Sequence, residues 1–330
     1  MKRFVYILSL FTLIALLISR CERERVEPVP ATMEQELSLI PFEPGGTGYM
    51  NFASFRDSPF FDSFIESGKK CVFEDPDYRE FVQETGFDLV KDIDEIYFAL
   101  PGTLPGEHKF SGLAVIRGTF NPKKIMAFAA KKDEHKEMET LTYKDHHLFR
   151  PEMKEVVFCF ADDSHLIAGN DSLVKAWLDN FDSPEKKNAL SKQFRSRLQL
   201  LQYKTGAWFT LNTAPFLEKF EAKYPNHPQL KKFEGLKSIQ DVNFSAKFGD
   251  DLFFNGTGVF SDREKAGLFL DALKGLIATG KLSLSSDRQA VDVLNKISVK
   301  QKGNRVLVNF KFNRDDLEKL KANKAKLSLK

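Results

Sequence analysis

The residues best suited to metal or acid–base chemistry are histidines near the middle of the chain. His146 and His147 directly follow Asp145, with His135 upstream and His165 downstream. Neutral imidazoles beside a carboxylate can bind zinc or copper. Adjacent residues of a strand point to opposite faces, however, so His146 and His147 would not reach one ion there. No His-x-x-x-His or Glu-x-x-His spacing occurs, and we predict surface histidines and no metal site.

Paired carboxylates are the second set of residues with chemical potential. Asp162-Asp163 and Asp250-Asp251 each lie between apolar runs. Glycoside hydrolysis uses two carboxylates at a defined separation in a cleft. Aspartate between two strands instead favours a turn, because its side chain hydrogen bonds to its own backbone. The pattern therefore favours turns over a catalytic pair.

Nucleophile and phosphate-binding motifs are the third set. Ser111-Gly112 has no Gly-x-Ser-x-Gly context, and Gly256-Thr-Gly258 lacks the third glycine and the lysine of a phosphate loop. Cys159 lies within an apolar run and is predicted to fill core, because a catalytic thiol needs a base and partial exposure. We predict a non-enzymatic protein with no catalytic residue, no metal and no cofactor. An enzyme whose site is assembled from distant residues is the alternative.

Phenylalanine is unusually abundant, with 32 residues against two tryptophans and seven tyrosines. Such side chains usually fill cores. They can also line a groove for an acyl chain or an apolar peptide, so a protein that binds a partner protein or an apolar ligand is predicted. A lipid carrier or chaperone with a phenylalanine-lined cavity is the alternative. Two groups are crowded together: Phe52, Phe55, Phe60, Phe61 and Phe64, and Phe244, Phe248, Phe253, Phe254 and Phe260.

The N-terminus has the pattern of an export signal. Lys2-Arg3 precede an apolar stretch from Phe4 to Ser19, and a charged run follows. As a helix this stretch would be about 24 Å long, which is between a cleaved signal and a membrane span. Residues 1–21 are therefore predicted to be an export signal or a membrane anchor.

The end of this stretch offers a candidate modification site. Leu17-Ile18-Ser19-Arg20-Cys21 resembles the bacterial lipoprotein signal, in which the cysteine is acylated and becomes the new N-terminus. The resemblance implies acylation of Cys21. Arg20 departs from the pattern, because a small residue is expected there. An uncleaved signal anchor, with basic residues reaching both interfaces, is the alternative.

The remainder divides into segments of different composition. Residues 22–47 carry Pro28, Pro30, Pro41 and Pro44 and are predicted to be a tether. We predict a first α+β module over 48–182 and a second over 205–330. Between them, 183–204 are predicted to form a connecting helix with a buried stripe and a basic outer surface; the stripe is Leu190, Phe194, Leu198 and Leu201, and the outer residues are Lys186, Lys187, Lys192, Arg195 and Arg197.

The two modules repeat the same order of elements, which predicts an internal duplication. Each begins with a strand that leads into a helix, continues with two strands and ends with a hairpin and a last helix. The matching blocks are Gly48–Phe55 with Gly206–Asn212, Ile93–Phe98 with Ile239–Phe244, Gly112–Phe120 with Gly256–Phe260, and Val156–Ala168 with Ile297–Phe312.

Together these patterns predict an α+β protein with two related modules, each a mainly antiparallel sheet with helices packed on one face. The order resembles bacterial cell-envelope proteins or lipoproteins that carry a duplicated α+β module behind an export signal, a group with no assigned activity. The resemblance implies a membrane-anchored protein of the bacterial envelope, with its folded part in the periplasm or outside the cell.

Charge and cysteine content set the remaining limits. Net charge is only +3, from 49 basic and 46 acidic residues, which argues against nucleic acid as a partner. The expected partners are the membrane, through the N-terminus, and an apolar ligand or an envelope protein. Cys71 and Cys159 leave one possible disulfide, which the sequence neither requires nor excludes. The binding surface is expected where the two modules meet.

Overall fold

The computed structural model describes residues 26–62, 65, 75–102, 111–132, 139–151, 155–183, 189–223 and 237–319. Twelve strands form one antiparallel sheet in the order β11-β12-β10-β9-β8-β1-β2-β3-β7-β6-β5-β4. The strands are β1 Pro44–Asn51, β2 Ile93–Pro101, β3 Leu113–Gly118, β4 Glu139–Tyr143, β5 His146–Arg150, β6 Val156–Phe160, β7 His165–Asn170, β8 Ala207–Asn212, β9 Ile239–Lys247, β10 Leu252–Phe260, β11 Ser298–Lys302 and β12 Arg305–Phe312.

Helices fill the connections. Most begin at a side chain that caps the first turn: Asn51, Asp75, Asp88, Ser191, Asp262 and Asp287 each accept a hydrogen bond from a backbone N–H of the helix that follows. The helices are α1 Ala31–Ser38, α2 Phe52–Arg56, α3 Pro76–Thr85, α4 Leu89–Asp92, α5 Pro122–Lys132, α6 Asp171–Asp182, α7 Lys192–Leu200, α8 Ala214–Lys223, α9 Arg263–Ser283 and α10 Arg288–Asn295.

The α+β class and the antiparallel sheet are confirmed, but the prediction of a separate sheet in each module is wrong. β1 pairs with β8 through Gly46–Met50 and Ala207–Leu211, which joins the two predicted modules into one sheet. This pairing satisfies the backbone groups that two separate edge strands would leave open. Outward from the β1–β8 seam the order is β1-β2-β3-β7-β6 on one side and β8-β9-β10-β12-β11 on the other.

Helices cover both faces of the sheet, so the prediction of helices on one face is also wrong. We call face A the side that carries Tyr49, Tyr97 and Trp208, and face B the opposite side. On face A a core forms with α1, α6 and α7. On face B, residues of α3 and α5 pack against Ile96 and Ile116. The strands of the first half are apolar on both sides, and both sides therefore need cover.

The tether prediction is wrong for residues 26–47, because this segment belongs to the core. Met33 and Leu37 of α1 are 2% exposed, and β1 is the central strand. The carboxylate of Glu27 accepts hydrogen bonds from the backbone N–H groups of Lys204 and Thr205, at 2.7 and 3.0 Å. Cys21 and the predicted anchor lie outside the described residues. Across the ranges that are described, no helix has the length and apolar character needed to span a membrane.

The connecting helix is shorter than predicted and begins at Lys192, after its Ser191 cap. Phe194 and Leu198 are buried, in agreement with the predicted stripe. Of the predicted basic surface, Lys192 and Arg195 are exposed, and Lys186 and Lys187 lie outside the described residues. Arg197 is instead buried, since only 3% of it is exposed. Its guanidinium donates hydrogen bonds to the carbonyl oxygens of Pro44 and Gly45, which binds α7 to the start of β1.

Candidate functional site

Face B carries a row of apolar positions that runs across ten neighbouring strands. Directly paired residues of antiparallel strands lie on the same face, so the register fixes the row. No member is ionisable. From β6 to β11 the row is Phe158, Ala168, Ala114, Phe98, Gly48, Phe209, Phe244, Gly256, Val308 and Val299.

The rows on either side are equally free of charge. Toward one end of the strands lie Phe160, Leu166, Ile116, Ile96, Met50, Ala207, Ala246, Phe254 and Phe310. Toward the other end lie Leu100, Gly46, Leu211, Val242, Gly258, Val306 and, on the edge strand, Gln301. We call the central part of these three rows, from β2 to β12, the apolar floor.

The aromatic rings of the apolar floor touch one another and remain accessible. Phe98 stacks on Phe209 with ring centroids 5.8 Å apart, and Phe254 stacks on Phe310 at 4.4 Å. Phe244 lies 5.7 Å from Phe254. Phe98 is 38% exposed and Phe244 is 40% exposed, although large apolar side chains are normally buried. The apolar floor therefore offers a contiguous aromatic surface to solvent.

Glycine in β1 allows the floor to be continuous across the seam. A Cβ at Gly48 would lie 2.0 Å from the ring of Phe98, which lies directly over the Gly48 backbone. Because no side chain stands between them, Phe98 of β2 reaches Phe209 of β8 across the intervening strand. Only glycine is compatible with this contact.

Helices stand on both sides of the apolar floor. On one side Phe87 and Phe120, with Ile125 of α5, pack on Ile96 and Ile116. On the other side, Ala266 and Leu270 of α9 pack on Val306, with Val299 alongside. The two groups cover opposite corners of face B, and the exposed rings of Phe98 and Phe244 lie between them.

A second cluster, on face A, is charged and was missed by sequence reasoning. Glu95 accepts hydrogen bonds from the Tyr49 hydroxyl at 2.7 Å and from the Arg117 guanidinium at 2.6 Å. Arg117 also lies 3.6 Å from Glu36 of α1. Burial and the neighbouring carboxylate of Glu95 raise the pKa values of Tyr49 and Tyr97 far above the usual range.

His165 extends this charged cluster. Its Nδ1 lies 2.9 Å from Asp162 and its Nε2 lies 3.4 Å from Glu36. Burial alone lowers the pKa of His165, but the hydrogen bonds to Glu36 and Asp162 outweigh burial and raise it. A cavity of about 320 Å³ borders the cluster, lined by Asn51, Ala53, Asp94, Glu95, Arg117, Gly118 and Ser164.

The cluster does not have the arrangement of a serine hydrolase. The Ser164 hydroxyl and the Asp162 carboxylate both approach the same nitrogen, Nδ1 of His165. A general base needs one nitrogen for the nucleophile and the other for the orienting carboxylate. Ser164 also lies 2.9 Å from Asp162 itself, as part of the turn between β6 and β7. The arrangement is that of a turn that fixes an imidazole.

The predicted histidine cluster is dispersed. In β5, His146 and His147 point to opposite faces, and His146 contacts Asp182 at 3.1 Å. His135 lies outside the described residues. Within the described ranges no group of three or more potential ligands is placed to hold a metal ion.

The paired carboxylates Asp162-Asp163 and Asp250-Asp251 lie between strands, as predicted. Asp162 accepts a hydrogen bond from the backbone N–H of Ser164 at 2.7 Å, and Asp251 forms an ion pair with Lys311 at 2.6 Å. Cys159 is fully buried, and burial raises the pKa of its thiol to about 12, as expected for an inert core cysteine. Cys71 lies outside the described residues, so its pairing with Cys159 stays open.

Comparison with known proteins finds weak similarity to solved structures. No protein family matches the sequence, and no curated protein matches it. Among solved structures, three crystal forms of the Treponema protein TP0453 are similar. Form III has a TM-score of 0.45 at 9% identity, over 85% of this chain and 95% of TP0453. Form IV has 0.46 at 10% identity over 84% and 92%, and form I has 0.43 at 10% over 90% and 98%. Similarity at this level supports no statement about function.

Proposed function

We propose that this protein is a non-enzymatic binding protein that holds an apolar chain on the apolar floor of face B. The observation that carries the proposal is the charge-free floor itself, with Phe98 and Phe244 about two-fifths exposed. Exposed apolar surface of this extent on a sheet needs cover, and contiguous apolar patches mark binding surfaces. Membrane attachment through residues 1–21, acylation of Cys21 and an envelope location are part of the same proposal.

The chemistry of the floor favours a hydrocarbon chain over an extended peptide. The strands of the floor pair with neighbours on both sides, so their backbone groups have no hydrogen bonds to offer a peptide. A peptide laid there would leave its own N–H and C=O groups unpaired, which is costly. A hydrocarbon has no such groups, and each methylene that leaves water gains about 0.8 kcal/mol.

The dimensions of the floor suit a long chain. From β2 to β12 the sheet advances by five strand spacings, or about 24 Å at 4.8 Å per strand. One leaflet of a membrane has a hydrocarbon thickness of about 15 Å, half that of the bilayer. The floor therefore has room for the full length of one extended acyl chain.

Internal duplication is the second part of the proposal. Counted from the seam, β1, β2, β3, β7 and β6 occupy the same places as β8, β9, β10, β12 and β11. These are the strands that the repeated sequence blocks paired. Gly48 and Phe209 are partners at the seam, so the apolar floor extends across the boundary between the two halves.

Titration with a fluorescent long-chain fatty acid tests the proposal. Phe244→Ser should weaken binding by about tenfold, equivalent to 1.4 kcal/mol, because the chain loses its contact with one ring. The matched control is Leu268→Ser on the outer surface of α9, where Leu268 is 65% exposed but outside the floor. Absence of binding by the unmodified protein would refute the proposal. Equal losses in both variants would show that the probe adheres nonspecifically.

Headgroup preference gives an independent check on the ligand class. Since the floor has no ionisable side chain, a fatty alcohol and a fatty acid of equal length should bind with similar affinity at low and high salt. A strong preference for the acid that disappears in salt would point to a charged contact elsewhere. Because the rings of the apolar floor are exposed, the floor also favours a protein that binds an apolar chain on its surface over a carrier with an enclosed cavity.

Membrane attachment has its own test. If acylation of Cys21 anchors the protein, Cys21→Ala should move it from the membrane fraction to the soluble fraction. Retention of the variant in membranes would favour the uncleaved apolar segment from Phe4 to Ser19 as the anchor.

A further inference from the structure

A set of buried polar atoms lies on the opposite face of the sheet from the apolar floor, at the seam between the halves. Its members have no hydrogen-bond partner among the described residues, and each residue is at most 3% exposed. We call this set the seam site. It consists of Thr47 Oγ1, Thr210 Oγ1, Asn243 Oδ1, Trp208 Nε1 and Arg197 Nε.

The register places Thr47, Thr210 and Asn243 side by side, with Trp208 and Arg197 next to them. Thr47 of β1 is paired with Thr210 of β8, and Thr210 is paired with Asn243 of β9. Such partners have Cα atoms about 4.5–5.5 Å apart and side chains on one face. Trp208 precedes Thr210 by two residues and shares that face. Arg197 approaches from α7 and donates hydrogen bonds to Gly45 and Pro44, immediately before Thr47.

Leaving all five atoms unpaired would be very costly. Each buried donor or acceptor without a partner loses its hydration, and five such losses would rival the whole stability of an ordinary domain. Native proteins satisfy buried polar groups with protein atoms or with ordered water. The part of the chain that the structure describes offers the seam site no protein partner.

The mixture of donors and acceptors limits what can bind. Trp208 Nε1 and Arg197 Nε only donate, Asn243 Oδ1 only accepts, and the two threonine hydroxyls can do either. A cation would be repelled by the charged guanidinium of Arg197, and an anion without a proton has no hydrogen to donate to Asn243 Oδ1. Only a neutral molecule that both donates and accepts hydrogen bonds satisfies the whole set.

We propose that the seam site binds internal water, one or two molecules bridging β1, β8, β9 and α7. Five polar atoms supply the two to four partners that each buried water normally needs. The β1–β8 seam is then hydrated on face A, on the opposite side of the sheet from the apolar floor. The inference does not depend on the proposed ligand of face B.

The sign of a stability change tests the proposal. Valine has the shape of threonine without the hydroxyl, so Thr210→Val should fold normally. If water bridges the site, the variant leaves that water without one of its hydrogen-bond partners and lowers Tm by about 2 °C or more. If the site is dry, the variant removes an unpaired hydroxyl and Tm stays the same or rises, which would overturn the proposal.

Two further variants make the result specific. Thr142→Val, on the exposed edge strand β4, gives the change in Tm that the substitution causes by itself. This change is subtracted from the change measured for Thr210→Val. Thr47→Val should lower Tm as Thr210→Val does. The double variant should lower it by less than the combined single effects, because a shared water is lost only once. Full additivity would exclude a water shared by the two threonines.

Discussion

The two halves of the sheet differ in the residues that they bury on face A. In the first half, face A is mainly apolar outside the charged cluster of Glu95, Arg117 and His165. Tyr97, Val115 and Ile167 lie under α1, α6 and α7 and are at most 4% exposed. In the second half, the same face presents Asn243, Ser245, Asn255 and Thr257, which are equally well buried. Their apolar neighbours, including Phe244, point to face B. The second half is therefore inverted relative to the usual rule that buried faces are apolar.

The inversion separates two roles within one sheet. Helices of the same chain pack on both faces of the first half, although Phe98 of β2 remains 38% exposed, so this half is mainly scaffold. Among the described residues, α9 covers the apolar face of the second half at its outer corner. We infer that the first half stabilises the fold and the second half supplies most of the binding surface.

The largest expected effect on the free energy of unfolding comes from a substitution in the first half of the sheet. Trp177 of α6 is fully buried and stacks on Phe181 with ring centroids 5.0 Å apart. Trp177→Ala should lower the free energy of unfolding by about 3–5 kcal/mol, through lost burial and the cavity left behind. Urea denaturation measures the change. A loss below about 1 kcal/mol would remove the distinction between the halves.

A smaller effect is expected at the buried polar face of the second half. Asn255 donates a hydrogen bond to Asn309 at 2.7 Å, and Asn255 is 3% exposed. Asn255→Ala should cost about 1–2 kcal/mol, because Asn309 loses its donor. Asn309→Ala and the double variant complete a thermodynamic cycle in the same denaturation experiment. Simple additivity would mean that the bond does not contribute.

Stability should change still less at the apolar floor. Since Phe244 is 40% exposed in the folded protein, Phe244→Ala should lower the free energy of unfolding by less than about 1 kcal/mol. Ligand affinity should nevertheless fall, as proposed for Phe244→Ser. A stability loss as large as that of Trp177→Ala would make Phe244 part of the core and refute the division of roles.

The smallest effect is a pH dependence confined to the scaffold. Because the pKa of His165 is raised in the folded state, its stabilising contribution is complete below the unfolded pKa. The contribution is lost as pH rises through the folded pKa. Unfolding free energy should therefore decline as the pH rises above about 6.5, the ordinary pKa of histidine. His165→Gln should remove this decline, and Glu36→Gln should reduce it. An unchanged slope in His165→Gln would assign the pH dependence to other groups.

Local features of the fold could be predicted from sequence because local chemistry determines them. The turn Lys302-Gly303-Asn304 contains Gly303 at φ 64°, a conformation that favours glycine. Asp162 forms its turn with Ser164, as expected of aspartate. The single sheet could not be predicted, since the register of β1 on β8 depends on contacts between distant segments.

The apolar floor was only partly predictable. Alternation of Asn243, Phe244 and Ser245 indicates a strand with one polar face, and the usual interpretation buries Phe244. Burial of Asn243 instead follows from the position of α7, which no local pattern specifies. The charged cluster was missed for the same reason: Glu36, Glu95 and His165 lie in separate elements and share no motif.

The pairing of β1 with β8 also has a consequence for synthesis of the chain. During translation Tyr49 emerges long before its partner Trp208, so the central strand has one open edge while the whole first half is made. An unpaired edge that carries apolar side chains readily joins the edge of another molecule. Chains truncated before β8 would keep that edge permanently. The seam that unites the folded protein is thus the point at which its nascent form is most prone to aggregate.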